Sequence, residues 1–290
     1  MWIVFAILTV LCWGTSETIF KSSVEDDDES LLKLFAYNGI ILGICAVIFM
    51  LVMQVPFDIR YVIRYAPIAL IYLTSMYFMY KAMPLLKISI LSPISNSSCA
   101  LTSLLCIFVL HQTLSPIQAA AVITVIIGII LLSINKEEVK NSEDKKKSYK
   151  IYIIGILLAV GYWLFDGIGS FLDDYILGEA MSAEQVIIAF SFVYFISGII
   201  SYIILKVKDR SYKFNSDKKK LIGSLFETAG QYFYIYTYSL GNAAIASPFI
   251  ASYSIVTLIL SRIFLKEKLT WKQYLIIAFI IAGMLVLSLE

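Results

Sequence analysis

Ten apolar runs, each close to the length a helix needs to cross about 30 Å of hydrocarbon, lie near residues 2–20, 31–54, 62–82, 88–110, 115–134, 151–172, 184–205, 221–240, 243–265 and 271–288. Inside lipid every backbone N–H and C=O must find its partner within the protein, so runs of this length are read as helices. Hydrophobic residues fill 60% of the 290 positions and charged ones only 15%, a balance far from that of a soluble domain. The expected fold is an all-α integral membrane protein with ten transmembrane helices. The first run lacks the basic flank and small-residue cleavage site of a secretory signal and is read as a mature span.

Basic residues are distributed unevenly. The odd-numbered loops and the span ends beside them hold 21 of the 23, against Arg60 and Arg64 on the other side. The positive-inside rule then places the odd loops in the cytoplasm of a cell-membrane protein, with both termini outside. The acidic run "VEDDDES" in the first loop has little weight in that rule. With a net charge of +2 and its basic residues beside headgroups, the chain points to the lipid bilayer as partner and not to nucleic acid. Cys12, Cys45, Cys99 and Cys106 all fall in apolar spans without C-x-x-C spacing, and His111 is the lone histidine. Neither a disulfide framework nor a zinc site is supported, and no cofactor is expected.

The basic segment "NKEEVKNSEDKKKSYK" has the composition of a solvated linker and divides the chain into two sets of five spans. The organisation expected is a first repeat over 1–135, a linker over 136–150 and a second repeat over 151–290. Sliding residues 72–133 onto 227–288 without a gap, an offset of 155, gives 16 identities in 62 positions. Ser92/Ser247, Pro93/Pro248, Thr102/Thr257 and Gly128/Gly283 are among them. An odd number of spans per half makes the halves cross the membrane in opposite senses, the inverted-repeat plan of alternating-access transporters. In the first span of each half, "VLCWGTSETIF" set against "VGYWLFDGIGS" pairs Trp13 with Trp163 and brings Glu17 and Asp166 to neighbouring positions.

The duplication, the Trp-Gly of the first span and the segment "GNAAIASPFIASYSIVTLILSRIFLKEKLTWKQYLIIAFIIAGMLVLSL" together resemble the drug/metabolite transporter superfamily, specifically its ten-span EamA branch. The likeness covers nearly the whole chain and implies a membrane transporter without naming a substrate. Two departures stand out. His111 and Gln112 occupy the place of an acidic turn usual in the family, and the charge bias points to termini outside, where members are commonly drawn with termini in the cytoplasm.

An ionisable residue at the centre of a span costs roughly 2.5–3.5 kcal/mol on insertion scales and by default suggests a pathway. Glu17 lies about 5 Å inside its span end and four residues before Lys21, so an interfacial ion pair and a functional carboxylate are equally open. Asp166 is deeper, with Tyr162 and Trp163 one turn before it and no basic residue within a turn. Its two readings are a pathway group and a buried carboxyl bonded to a tyrosine. Glu227 heads a face that continues through Gln231, Tyr234 and Tyr238 and either lines a cavity or packs on another polar helix. Trp13, Tyr162, Trp163, Tyr234 and Tyr238 are candidate aromatic walls for a cation. The serine-rich starts around Pro93 and Pro248 are read first as packing surfaces, with Asn96 the best exception.

The leading expectation is a secondary active transporter of a small polar or cationic metabolite, an amino acid or an amine, with protons as a candidate coupling ion. The alternatives are an exporter of lipophilic cations or a lipid-linked intermediate and, from another class, a membrane scaffold or receptor. The sequence holds no nucleotide-binding loop and no H-E-x-x-H or nucleophile-elbow signature, so neither direct ATP drive nor an enzyme is expected.

Overall fold

A computed structural model of the chain describes residues 1–133, 145–214, 217–266 and 270–288. Most of the expected linker, and the last part of the Leu-Lys-Glu-Lys-Leu turn, lie outside the described residues. The described chain is helical: α1 (Trp2–Lys21), α2 (Asp28–Met53), α3 (Ile59–Ala82), α4 (Ile88–Asn96), α5 (Ser98–Val109), α6 (Pro116–Ser133), α7 (Lys145–Glu179), α8 (Ala183–Lys208), α9 (Lys218–Leu240), α10 (Ala243–Ala251), α11 (Tyr253–Leu260) and α12 (Trp271–Ser288). The fourth crossing is the pair α4 and α5; the ninth is α10 and α11 followed by a π-helical turn, Ser261–Leu265. These segments are the ten spans of an all-α membrane protein.

Side chains at the helix starts accept the N–H groups that a first turn leaves over. Asp27 caps α2 through Ser30 N, Asp217 caps α9 through Lys220 N, and Asn242 caps α10 through Ala244 N. Ser182 and Gln185 form a reciprocal capping box on α8. The acidic run of the first loop therefore acts locally. Besides the Asp27 cap, Asp28 accepts from Lys81 near the end of α3 at 2.5 Å.

Both broken crossings break at the same place. Ser97 separates α4 from α5 and Ser252 separates α10 from α11, positions 155 apart, each four residues after a proline. Proline has no N–H for the carbonyl one turn before it. The Ala244 carbonyl, which Pro248 leaves without its helical donor, accepts from Ser103 Oγ at 2.9 Å.

The packing repeats when the halves are exchanged. Helix α1 packs on α9 as α7 packs on α3, α1 on α11 as α7 on α5, and α5 on α10 as α11 on α4. Helices α2 and α8 pack on each other across the exchange, as do α6 and α12. A Cβ on Gly128 would stand 2.4 Å from Ile280 and one on Gly283 2.9 Å from Val125, and each of these pairs maps onto the other at the offset of 155. Likewise Gly14 lies against Val256 and the Tyr253 carbonyl, while Gly167 lies against Leu101 and the Ser98 carbonyl.

That last match corrects the register of the first spans. Contacts pair Gly14 with Gly167, an offset of 153, and not Trp13 with Trp163. The glycines set the register because each lets its helix contact the equivalent residues of a broken crossing, with no room for a Cβ. Trp13 therefore stands opposite Asp166, and Glu17 opposite Ser170.

Helices α2 and α8 cross at Gly39 and Gly198, where a Cβ on Gly39 would meet the Tyr194 carbonyl at 2.1 Å. Close backbone approach through small residues is how membrane helices gain packing without a hydrophobic drive. Gly39→Val is expected to lower stability by about 1–3 kcal/mol or more through overpacking. Gly178→Ala, where nothing lies within 4 Å, should be neutral or stabilising by up to about 1 kcal/mol. Denaturant titration of the two variants in detergent compares them.

Candidate functional site

Helices from both halves surround a central cavity of about 710 Å³, counting its open part. Glu17 of α1, Asp166 of α7 and Glu227 of α9 all line it, together with Trp13, Tyr72, Tyr162, Tyr194 and Tyr253. Leu42, Met76, Met79, Met83 and Phe190 supply apolar wall. Among the described lining residues none is Lys, Arg or His.

Each carboxylate is held by hydroxyls. Glu17 is 5% exposed and its Oε2 accepts from Ser92 Oγ and Thr257 Oγ1, both at 2.6 Å. Asp166 Oδ2 accepts from Ser98 Oγ at 2.7 Å, and Glu227 Oε2 from Ser16 Oγ at 2.8 Å. Ser92, Ser98 and Thr257 all belong to the two broken crossings, so the serine-rich starts are more than packing surfaces. Hydrogen bonds to a charged group are worth about 1.5–3 kcal/mol each, enough to offset part of the cost of its burial.

The possible Glu17–Lys21 ion pair gives way to these bonds. Lys21 Nζ instead donates to the carbonyls of Met83 and Leu86, just past the end of α3. Glu17 turns inward because Ser92 and Thr257 converge on it from α4 and α11, which the local spacing of Glu17 and Lys21 cannot reveal.

Five buried polar atoms on the cavity wall have no hydrogen-bonding partner among the described residues: Trp13 Nε1, Glu17 Oε1, Asn38 Oδ1, Tyr194 OH and Gln231 Nε2. Such atoms are rare in native interiors, and each has hydrogen-bonding capacity left for a water, an ion or a ligand group. The set offers both donors and acceptors.

Asp166 also lines a second cavity of about 370 Å³, counting its open part, shared with Asn96, Ser170, Tyr234, Tyr238 and Ser247. Trp13, Tyr72, Tyr162 and Tyr253 border both spaces. The Glu227, Gln231, Tyr234 and Tyr238 face thus points inward along its length, its first two members on the larger cavity and its last two on the smaller. Asn96 is buried and donates to Ser92 Oγ at 3.1 Å. Trp163 is half-buried and is not among the residues lining either cavity.

The apolar run read as ending at residue 172 continues as helix to Glu179, which brings in two carboxylates that the sequence reading left in a loop. Asp173 is fully buried and accepts three tyrosine hydroxyls, from Tyr65 at 2.5 Å, Tyr72 at 2.7 Å and Tyr234 at 3.0 Å. Asp174 accepts from Gln112 Nε2 at 2.5 Å, and Gln112 Oε1 in turn accepts from Ala244 N at 3.1 Å. The available signal was periodicity: Asp173 lies two turns beyond Asp166 on the face that carries Tyr162 and Ser170. Two adjacent aspartates depress hydropathy enough to hide it.

Comparison with known proteins adds two findings. The model of the EamA-like transporter family matches residues 1–134 and 149–289. Among solved structures, one titled "Crystal structure of protein" superposes with a TM-score of 0.70 at 15% identity, covering 99% of this chain and 97% of its own, a likeness of fold. No curated protein sequence matches the chain.

The hydroxyl clamp on Glu17 makes a quantitative prediction. Thr257→Val should cost about 1–3 kcal/mol, because it leaves a buried carboxylate one donor short. In a Glu17→Gln background, whose amide oxygen needs less support, the same change should cost under half as much. A double-mutant cycle by denaturant titration in detergent measures the difference.

Proposed function

The chain belongs to the EamA-like transporter family, and on that premise we propose that it is a secondary active transporter of a small organic amine, working by alternating access between its two five-helix halves. The observation that carries this reading is the charge of the central cavity: three carboxylates and, among the described lining residues, no basic side chain. An ammonium about 4 Å from one carboxylate gains on the order of 4 kcal/mol at an effective dielectric of 20. A substrate carboxylate would meet repulsion there. This favours amines over amino acids within the class that the sequence suggests. The tyrosines and Trp13 add faces on which a cation gains roughly 0.5–2 kcal/mol.

Glu17, Asp166 and Glu227 are the substrate-pairing groups in this reading, with Trp13, Tyr162, Gln231, Tyr234, Tyr238 and Asn96 as wall and hydrogen-bonding partners. Trp163 lines neither cavity and has no direct part in this reading. Carboxylates that pair a cation are also groups on which a proton can exchange for it, so proton antiport is the proposed drive. The charge bias of the loops supports a cell-membrane orientation with the odd loops cytoplasmic.

A second reading rests on Met76, Met79 and Met83. Methionines adapt to varied apolar shapes, which suits an exporter of lipophilic cations. Uptake into proteoliposomes distinguishes the two: small primary amines against a quaternary aromatic cation.

Asp166→Asn and Glu227→Gln are each expected to reduce proton-driven amine flux at least tenfold while leaving some counterflow. Unchanged proton-driven flux in both variants would sink the coupling. Transport of a zwitterionic amino acid at the amine's rate would sink the substrate class.

A further inference from the structure

Two ties join the halves at opposite ends of the pathway, and they occupy the same repeat position. Tyr65 lies six residues into α3, near the even-loop end, and its hydroxyl donates to Asp173 of α7. Adding the offset of 155 to Tyr65 gives Lys220, two residues into α9 at the odd-loop end. Lys220 Nζ donates to the Ser23 carbonyl, just past the end of α1, at 2.6 Å. In both cases a side chain at the start of the third helix of one half reaches the far end of the first helix of the other.

The Asp173 tie is buried and the Lys220 tie partly so. Tyr65 and Asp173 are fully buried and Lys220 is 3% exposed. Their chemistry differs. At the even-loop end the carboxylate of Asp173 gathers Tyr72 as well as Tyr65 from α3, with Tyr234 from α9. At the odd-loop end the ammonium of Lys220 is held between Ser23 O and Asp217 Oδ2, the latter also at 2.6 Å. Lys219 adds a weaker contact to the Ser22 carbonyl at 3.3 Å. Between the ties stand the two cavities: Tyr72 and Tyr234 border the smaller, and Phe20, three residues before Ser23, borders the larger.

We propose that these are the two gates of the pathway, Asp173 with Tyr65 and Tyr72 at the even-loop end and Lys220 with Ser23 at the odd-loop end. The proposal rests on the alternating-access reading above and deepens it by naming which contacts part at each end. Both are made in the same structure, so each end opens by losing contacts of its own while the other end keeps its tie. Other bonds cross the halves beside them, Arg64 to the Ala180 carbonyl and Gln112 to Asp174 at the even-loop end, Asp217 N to Tyr37 OH and Lys219 to the Ser22 carbonyl at the odd-loop end, and the two buried charges, Asp173 and Lys220, are the centre of each set. A released Asp173 or Lys220 would turn to water, which favours a charged group more than the protein does.

Double electron–electron resonance on the full chain, with the four native cysteines replaced, reads the two ends separately. One spin-label pair sits at Arg60 and Glu179 for the even-loop end, the other at Asp26 and Lys218 for the odd-loop end; all four residues are exposed. Asp173→Ala should lengthen the first distance and leave the second unchanged, raising the open-to-closed ratio at least about a hundredfold for two lost bonds to a charged group. Lys220→Met should do the reverse. Should Asp173→Ala fold poorly, Tyr65→Phe combined with Tyr72→Phe removes the same cross-half bonds while keeping the carboxylate.

Either variant leaving both distances as in the wild type overturns the assignment, and so does lengthening of both pairs by one substitution. The readout needs no substrate. Gates that open as assigned in a protein without amine flux would refute the substrate reading alone.

Discussion

A carboxylate at membrane depth must find donors among neighbouring helices, because water and lipid offer it none there. That requirement organises the centre of this protein. Glu17 and Asp166 take their donors from the fourth and ninth crossings, and those are the two crossings that break, at Ser97 and Ser252. Ser92 and Ser98, six residues apart, project about 120° apart around a helix axis, so that Ser92 faces α1 while Ser98 faces α7.

The frame is symmetric and the chemistry it carries is not. Exchange of halves maps the packing of α1 on α9 onto that of α7 on α3, yet the equivalent side chains differ. Tyr72 answers Glu227, Met76 answers Gln231, Trp13 answers Asp166 and Ser170 answers Glu17. Two of the three cavity carboxylates stand toward the odd-loop end, and the tyrosine-bound Asp173 stands toward the other. From one end to the other the partners of the buried carboxylates change from serine and threonine to tyrosine. The duplication supplies matching helix contacts in the two halves, and divergence at the equivalent positions gives each end its own contacts.

Much of the frame was legible in the sequence because it rests on length and spacing. Apolar runs fix the spans, and the ungapped offset of 155 contains Gly128 and Gly283, whose interlocking contacts with Ile280 and Val125 realise it. The inward face of α9 was readable from Glu227, Gln231, Tyr234 and Tyr238 because helical periodicity is local. Partners distant in sequence were not readable. Ser92 and Thr257 lie 75 and 240 residues from Glu17, whereas Lys21, only four residues away, turns to carbonyls at the end of α3. The tryptophan register failed because similarity of side chain and closeness of backbone are different criteria: Gly14 and Gly167 mark the true equivalence by allowing contact. Asp173 escaped because an average over a window penalises the charge that the fold buries.

In the transport reading proposed above, recognition of a cation by the carboxylates of the central cavity is the central step. A structure determined with a small primary amine bound tests it directly. The nitrogen is expected within about 3 Å of an oxygen of Glu17, Asp166 or Glu227, with Trp13 or a cavity tyrosine against its flank. An amine seated away from all three carboxylates, or an anionic group of a ligand resting among them, would contradict it.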